Sequence, residues 1–214
     1  MKLTEPGFHR ACAFVREAAR PLDRALLSYH FGDGSADDVL NQLMTCQNGD
    51  GGFGRGLEPD FRLEASSPMA TSVAAEYILA LDVPEEHPLV GESIAYLERT
   101  YDQEDGYWPA TFDDVNDAPH ALWWHVEEVT PPDEADWANP NAELLGYLWR
   151  YSDVASKDFL ESVTGRAREN VATIDTVGTE PYRRYPVLSW ERARPHLAHD
   201  LATDVEEVLR RTVP

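Results

Sequence analysis

Four charged residues lie close together in the segment that follows a glycine-rich stretch near position 50. They are two acids, Glu58 and Asp60, and two bases, Arg55 and Arg62. A carboxyl group in an apolar cavity has a raised pKa and can donate a proton, while an arginine can bind a polar substrate group. We therefore name Asp60 and Glu58 as candidate catalytic residues, and Arg55 and Arg62 as candidate substrate-binding residues. The alternative is an ion-pair network at the surface of an acid-rich chain.

A second group of candidates lies in the irregular segment 109–139, which is rich in Asp, Pro and Trp. Trp123 and Trp124 could line a cavity for a carbocation through cation–π contacts, or stack on a sugar ring. The alternative, which applies to Trp137 as well, is that the rings plug the core over a long loop. His120 and His125 lie on either side of the tryptophan pair. We name all four of these histidines and tryptophans as candidate substrate-binding residues.

The glycine-rich stretch 47–54 reads QNGDGGFG. A helix precedes it where a dinucleotide fingerprint needs a strand, and no Gly-Lys-Ser/Thr follows as in a P-loop. Its Asn and Asp residues do not keep the alternating register of a calcium loop. We therefore interpret the stretch as a structural joint between helices, in which Gln47, Asp50 and Phe53 have structural roles.

Helical periodicity dominates the chain, and no segment alternates for long enough to indicate a sheet. Ser35 and Ser67 have the character of N-caps, and Pro68 fits the first turn of a helix. The pattern predicts an all-α protein of about eight or nine helices, in one domain spanning 1–214. The helices are expected near 6–19, 21–31, 36–46, 68–83, 88–100, 140–149, 159–174, 181–190 and 195–209.

One short motif, an aspartate–glycine–aromatic corner between helices, occurs twice in the sequence. Asp50-Gly51-Gly52-Phe53 and Asp105-Gly106-Tyr107-Trp108 are separated by about 55 residues, and each follows an apolar helical segment. Glycine can adopt the left-handed conformation that closes a helix end, and the aromatic ring can pack over the joint. The repetition predicts stacked helical hairpins.

The motif Gln47-x-x-Asp50-Gly51-Gly52-Phe53-Gly54, with its echo at 105–108, resembles the repeat shared by terpene and squalene cyclases and by protein prenyltransferase β subunits. More narrowly, residues 52–60 and 66–71 are similar to a group of small prokaryotic toroid-like proteins. The resemblance implies an incomplete α/α toroid with inner and outer helix layers and a central cavity. It implies that segment 109–139 lies at the cavity rim, and that Tyr77 and Trp108 contact a substrate there.

The chain departs from that family in its chemistry. It lacks the acidic DxDD pattern of cyclases that protonate an alkene, and no Asp-x-Cys pair accompanies His120 and His125 as a prenyltransferase zinc site would require. Asp113, Asp114 and Asp117 spell DDxxD, which binds magnesium in class I terpene synthases, but Pro109 and Pro119 bracket it. We expect no metal and no cofactor.

The composition limits the partners. The chain has 39 acidic residues and 18 Lys and Arg, which gives a formal net charge of −21. This charge argues against nucleic acid and acidic membrane surfaces as partners. The charge would also suit a salt-rich host. With no apolar run long enough for a leader or a membrane span, we expect a cytoplasmic protein whose two cysteines, Cys12 and Cys46, are reduced. The basic cluster 182–185 is expected to neutralise neighbouring acids.

Three functions are compatible with these patterns. The first is binding or transformation of an isoprenoid-like or other apolar small molecule in a central cavity. The second is a carbohydrate-active enzyme, because α/α lyases and hydrolases also use paired carboxylates. The third is a non-catalytic binding or assembly module, in which a homodimer would close the open edges of an incomplete ring.

Overall fold

The computed structural model describes residues 2–174 and 185–212, and every regular element in this part of the chain is helical. The prediction of an all-α fold with about nine helices is confirmed, whereas the toroid arrangement stays a prediction. Residues 182–184 of the basic cluster 182–185 lie outside the described residues, so its expected role stays a prediction. The described residues form nine α-helices: α1 (Glu5–Ala18), α2 (Pro21–Phe31), α3 (Ala36–Met44), α4 (Pro68–Ala80), α5 (Pro88–Thr100), α6 (Ala138–Arg150), α7 (Lys157–Thr173), α8 (Tyr185–Ala193) and α9 (His199–Thr212).

Both predicted N-caps are present. Ser35 Oγ accepts a hydrogen bond from Asp38 N at 3.2 Å, and Asp38 Oδ2 accepts one from Ser35 N at 2.8 Å, which forms a capping box. Ser67 Oγ accepts from Ala70 N at 3.1 Å at the start of α4. The last helix begins later than predicted, because a short 3-10 turn, Arg194–His196, and an extended Leu197 precede α9.

The chain divides into two compact units, Met1–Cys46 and Gln47–Pro214. In the first unit, α2 packs against both α1 and α3. Cys12 is buried there, Cys46 is half-buried, and both thiols are free. The single domain spanning 1–214 stays a prediction. None of the helices in the described part of the chain is long and apolar enough to cross a membrane.

Helix α6 is the centre of the second unit, where it packs against α4, α7 and α8. The approach to α8 is close because α6 carries Gly146 at the contact. A Cβ atom at that position would lie 2.9 Å from Ala193 Cα, nearer than real side chains come. Two buried tyrosines, one in α6 and one directly after it, reach other segments: Tyr147 OH lies 2.8 Å from Ser93 Oγ of α5, and Tyr151 OH donates to Val83 O at 2.8 Å.

The two aspartate–glycine–aromatic corners of the sequence close in the same way. Gly51 and Gly106 have φ angles of 88° and 73°, the left-handed region that favours glycine. Each glycine carbonyl accepts a side-chain hydrogen bond, from Gln47 Nε2 at 3.1 Å and from Trp137 Nε1 at 2.9 Å. Isolated antiparallel bridges flank them, Gln47 with Phe53 and Asp102 with Tyr107.

Each corner is also fastened to the helix that follows it. Phe53 N donates to Thr71 Oγ1 at 3.1 Å, and Trp108 N donates to Asn141 Oδ1 at 2.7 Å. Thr71 and Asn141 are each the fourth residue of their helix, α4 and α6. Each also donates to the carbonyl of the residue that precedes its helix, at 2.8 and 2.7 Å. The two corners that repeat in the sequence therefore make the same pattern of hydrogen bonds to their helices. These two helices, α4 and α6, pack against each other.

Candidate functional site

A cleft of about 690 Å³ lies within the second unit. This volume is typical of small-molecule sites. Helix α4 contributes Met69, Ser72, Val73 and Glu76 to its lining, and α6 and α8 contribute further residues. The α4 positions follow helical spacing, so one face of this helix borders the cleft.

Backbone pairing brings the long loop 109–139 to this cleft. Arg62 N donates to Pro119 O and Ala121 N donates to Asp60 O, both at 2.8 Å, around an isolated bridge. The Trp124 ring packs edge-on against the buried Phe61, with ring centroids 5.2 Å apart. The tryptophan pair is therefore placed beside the acidic segment by contacts between residues about 60 positions apart.

A side-chain clamp fixes the shape of the same loop. Asn116 Nδ2 donates to Val126 O at 2.6 Å, and Asn116 Oδ1 accepts from Val126 N at 3.0 Å. Further along, Asn170 Nδ2 of α7 donates to the Glu134 carbonyl at 2.7 Å, and Arg166 pairs with the Glu134 carboxylate at 2.5 Å. Both halves of the loop are thus held by side chains that satisfy backbone or charged groups.

Four of the predicted site residues line the cleft together: Glu58, Asp60, Trp123 and Trp124. Trp123 is 73% exposed, so one face of its ring is open to a ligand. Trp137 is fully buried and stacks on Trp190 in the core. Trp123 and Trp124 therefore line the cavity, whereas Trp137 fills the core.

Three other predicted residues do not line the cleft. The chain doubles back after the glycine stretch, because Arg55 N donates to Glu64 O at 3.3 Å and Gly56 N donates to Leu63 O at 3.1 Å. This turn directs Arg55 towards the first corner, where its Nε donates to Asn48 Oδ1 at 3.0 Å. Arg62 is exposed beside Gly56. Tyr77, on α4, is half-buried and lies outside the lining.

A second, smaller cavity of about 190 Å³ adjoins the cleft, and two more predicted residues, Trp108 and His125, line it. Trp108 is buried, and its Nε1 donates to Leu97 O at 2.8 Å. His120 lines neither cavity; its ring stacks on His125 at 5.7 Å, and Nδ1 lies 2.7 Å from Ala118 O.

The sequence analysis missed the charged group on the cleft's helical wall. Arg192 Nη1 of α8 lies 2.8 Å from Glu76 Oε1 of α4 and 2.9 Å from Glu143 Oε1 of α6. Ser189 Oγ also donates to Glu143 Oε1, at 3.1 Å. The three charged residues come from helices far apart in sequence, so no local motif could have indicated them.

Glu76 is partly exposed and paired with Arg192, but its pKa is shifted in the direction that the sequence analysis expected for a carboxyl nearer the loop. Burial raises its pKa above the ordinary value of 4.5, and the neighbouring carboxylates of Glu143 and Glu58 raise it further, against the lowering effect of Arg192. A raised pKa widens the pH range in which a carboxyl is protonated and can donate a proton.

The charges that line the cleft are predominantly negative. The described lining includes the carboxylates of Glu58, Asp60, Glu76, Asp136 and Glu143, against the single guanidinium of Arg192. That guanidinium already pairs with two of the carboxylates. The site therefore favours a neutral or cationic ligand over an anion.

The predicted DDxxD residues lie in a 3-10 turn, Asp113–Asp117, rather than on a long helix. Within residues 2–174 and 185–212, no group of three or more His, Cys, Asp or Glu side chains is arranged to hold a metal ion.

Comparison of the chain with protein-family models, curated proteins and solved structures gives no match. Fold and site together define an all-α protein with an acid-lined, tryptophan-bordered cleft.

Proposed function

We propose that the cleft binds a neutral carbohydrate and that the protein acts on it with its carboxyl groups. The observation that carries this proposal is the combination of an open tryptophan face with a predominantly acidic lining. A sugar ring stacks its apolar face on an aromatic ring, and its hydroxyl groups donate hydrogen bonds to carboxylates. Trp123 supplies the exposed ring, and Glu58 and Asp60 supply carboxylates beside it.

Glu76 and Glu143 are our candidates for the reacting pair. Glycoside hydrolysis needs one protonated carboxyl and one carboxylate, roughly 5–10 Å apart. Both residues contact the same Arg192 nitrogen, at 2.8 and 2.9 Å, so their two Oε1 atoms are at most 5.7 Å apart. The raised pKa of Glu76 suits the proton donor. Glu143, held by Ser189 and Arg192, suits the partner carboxylate.

The resemblance to terpene cyclases supports a second candidate, an uncharged isoprenoid-like ligand. Met69, Val73 and Pro132 give the cleft apolar surface, and a protonated carboxyl could start cyclase chemistry on an alkene. An isoprenoid diphosphate fits less well, because its negative charges would meet the acidic lining. The homodimer and the cytoplasmic location also remain proposals.

A binding panel separates these candidates. Titrations of the full chain, followed by calorimetry, would use cellotriose and maltotriose as neutral sugars, trigalacturonate as an anionic sugar, and farnesol and farnesyl diphosphate as isoprenoids. We expect a neutral trisaccharide to bind and trigalacturonate not to bind. Binding of farnesol alone would favour the second candidate, and binding of none of the probes would favour the assembly module.

Adjacent exposed side chains provide a matched control. Trp123→Ala removes the proposed stacking face, whereas Leu122→Ala removes a neighbouring apolar side chain that is 88% exposed and does not line the cleft. Stacking is worth roughly 0.5–1.5 kcal/mol or more, so the Trp123 variant should bind the sugar about tenfold more weakly. Equal affinities in the two variants would contradict the role of Trp123.

Turnover of a bound sugar would then be tested with Glu76→Gln and Asp60→Asn. We expect the Glu76 variant to lose hydrolysis while it retains binding. If only the Asp60 variant loses turnover, the catalytic role predicted from sequence is correct and our assignment of Glu76 is wrong.

A further inference from the structure

The smaller cavity beside the cleft differs from the cleft in charge. Among the described residues, five carboxylates and a guanidinium line the cleft, whereas the lining of the smaller cavity carries one carboxylate, that of Glu128, and the imidazole of His125. Apolar surface favours an apolar ligand group, because burial removes that group from water. The two cavities therefore suit different chemical groups. Most of the remaining lining of the smaller cavity is apolar or aromatic, including Trp108, Pro109, Ala110, Val126, Val129 and Pro132.

Hydrogen bonds hold the backbone of two residues that line the smaller cavity, Ala110 and Val126. The Ala110 carbonyl accepts from Met69 N of α4 at 2.9 Å. The backbone N–H and carbonyl of Val126 both pair with the Asn116 side chain, at 3.0 and 2.6 Å. A site that is ordered in advance loses little conformational entropy when a ligand enters it.

The size of the smaller cavity suits one six-membered ring. An apolar cavity of about 150 Å³ in another protein binds benzene, and this cavity measures about 190 Å³. It shares four lining residues with the cleft, namely Trp123, Trp124, Pro132 and Asn139. Because the exposed ring of Trp123 borders both cavities, a group attached to a sugar stacked on that ring would lie next to the smaller cavity.

We propose that the smaller cavity is a subsite for the apolar aglycone of a glycoside, such as a phenyl group, while the sugar ring occupies the cleft. This inference rests on the proposed function, because it places the sugar ring on Trp123. It narrows the substrate class from neutral carbohydrates in general to glycosides of phenols and other small apolar alcohols.

The first experiment compares phenyl glucosides with methyl glucosides, as both the α and the β anomers, by calorimetric titration of the full chain. A phenyl ring can bury apolar surface that a methyl group lacks, so we expect a phenyl glucoside to bind at least about tenfold more tightly than its methyl counterpart. Val129→Asp places a charge in the apolar lining and should remove most of this preference. Val154→Asp is the matched control and should keep it, because Val154 is similarly exposed, 37% against 43%, but lines neither cavity.

The second experiment locates the apolar group without a sugar. Phenol is the probe, and its binding is followed by the NMR signals of the valine methyl groups in the wild-type protein. The bound aromatic ring should shift the Val129 signals in a saturable manner and leave the Val154 signals unchanged. Each pair of methyl signals is assigned by its absence from the spectrum of the corresponding aspartate variant.

The outcomes distinguish the subsite from the proposed function. If cellotriose or maltotriose binds, but phenyl glucosides bind no more tightly than methyl glucosides and phenol leaves the Val129 signals unchanged, the subsite is refuted while the sugar site stands. If phenol shifts the Val129 signals but no sugar or glucoside binds, the proposed function fails while an apolar subsite is supported. An equal loss of the phenyl preference in the two aspartate variants would refute the location of the aglycone in the smaller cavity.

Discussion

Replacement of Thr71 by valine tests whether the first corner depends on one side-chain acceptor. Thr71 is fully buried; its Oγ1 accepts from Phe53 N at 3.1 Å and donates to Ser67 O at 2.8 Å. Valine keeps the branched shape but removes both interactions. The Phe53 N–H is then buried in the corner without its acceptor.

The expected loss follows from these contacts. A buried donor left unpaired costs about 1–3 kcal/mol. The Ser67 carbonyl still accepts a hydrogen bond from Thr71 N at 2.9 Å, so the loss of the Thr71 Oγ1 hydrogen bond to the same carbonyl adds little. We therefore expect the free energy of unfolding to decrease by about 1–3 kcal/mol. In a chain of this length the melting temperature should fall by roughly 2–4 °C per kcal/mol.

Urea unfolding followed by tryptophan fluorescence is the assay, because all six tryptophans belong to the second unit, as the corner does. Thr203→Val is the matched control. Thr203 Oγ1 also donates to the carbonyl four residues earlier, at 2.8 Å, but on an exposed face of α9. Its effect should stay within about 0.5 kcal/mol. Equal effects of the two substitutions would refute the argument that the Phe53 hydrogen bond supports the corner.

Two further predictions concern the corner glycines and the acidic cleft. Gly51→Ala should destabilise the protein more than Gly106→Ala in the same urea assay. A Cβ atom added at Gly51 would lie 2.3 Å from the backbone oxygen of Glu92. At Gly106 the nearest atom is 3.1 Å away and belongs to a flexible side chain. Both variants also bear the left-handed strain of about 1–2 kcal/mol, and equal losses would contradict the close approach at Gly51. For Glu76, burial raises the native pKa above 4.5, so the native state binds the proton more tightly than the unfolded chain. The contribution of Glu76 to stability is therefore largest below pH 4.5 and is lost as the pH rises through the native pKa. Urea unfolding across pH should show this loss as a change in the stability difference between wild type and Glu76→Gln. A stability difference that does not depend on pH would contradict the prediction.

Local features of the fold could be predicted because local physics decides them. The capping serines Ser35 and Ser67 act within three residues of their own positions, and both are found as expected. The left-handed glycines of the two corners are also local features. The start of α9 was misjudged because Pro195 fits the first turn of a 3-10 turn as well as that of an α-helix.

The site could be predicted only in part. Glu58 and Asp60 were recognised because they form a cluster in the sequence, and the structure places both at the cleft. Arg55 belongs to the same cluster, but a backbone turn directs it to Asn48 instead. Proximity in sequence could not distinguish these positions, because hydrogen bonds to a later segment set their direction.

By itself, the sequence determined the all-α class, the two serine N-caps and the repeated corner, since each depends on residues a few positions apart. Tertiary structure alone decided that Glu76, Glu143 and Arg192, from three helices, form one ion-pair group. Packing of α6 on α8 at Gly146 brings part of this group together. Such a group leaves no local signal, because the distances between its members are set by helix packing and not by their spacing along the chain.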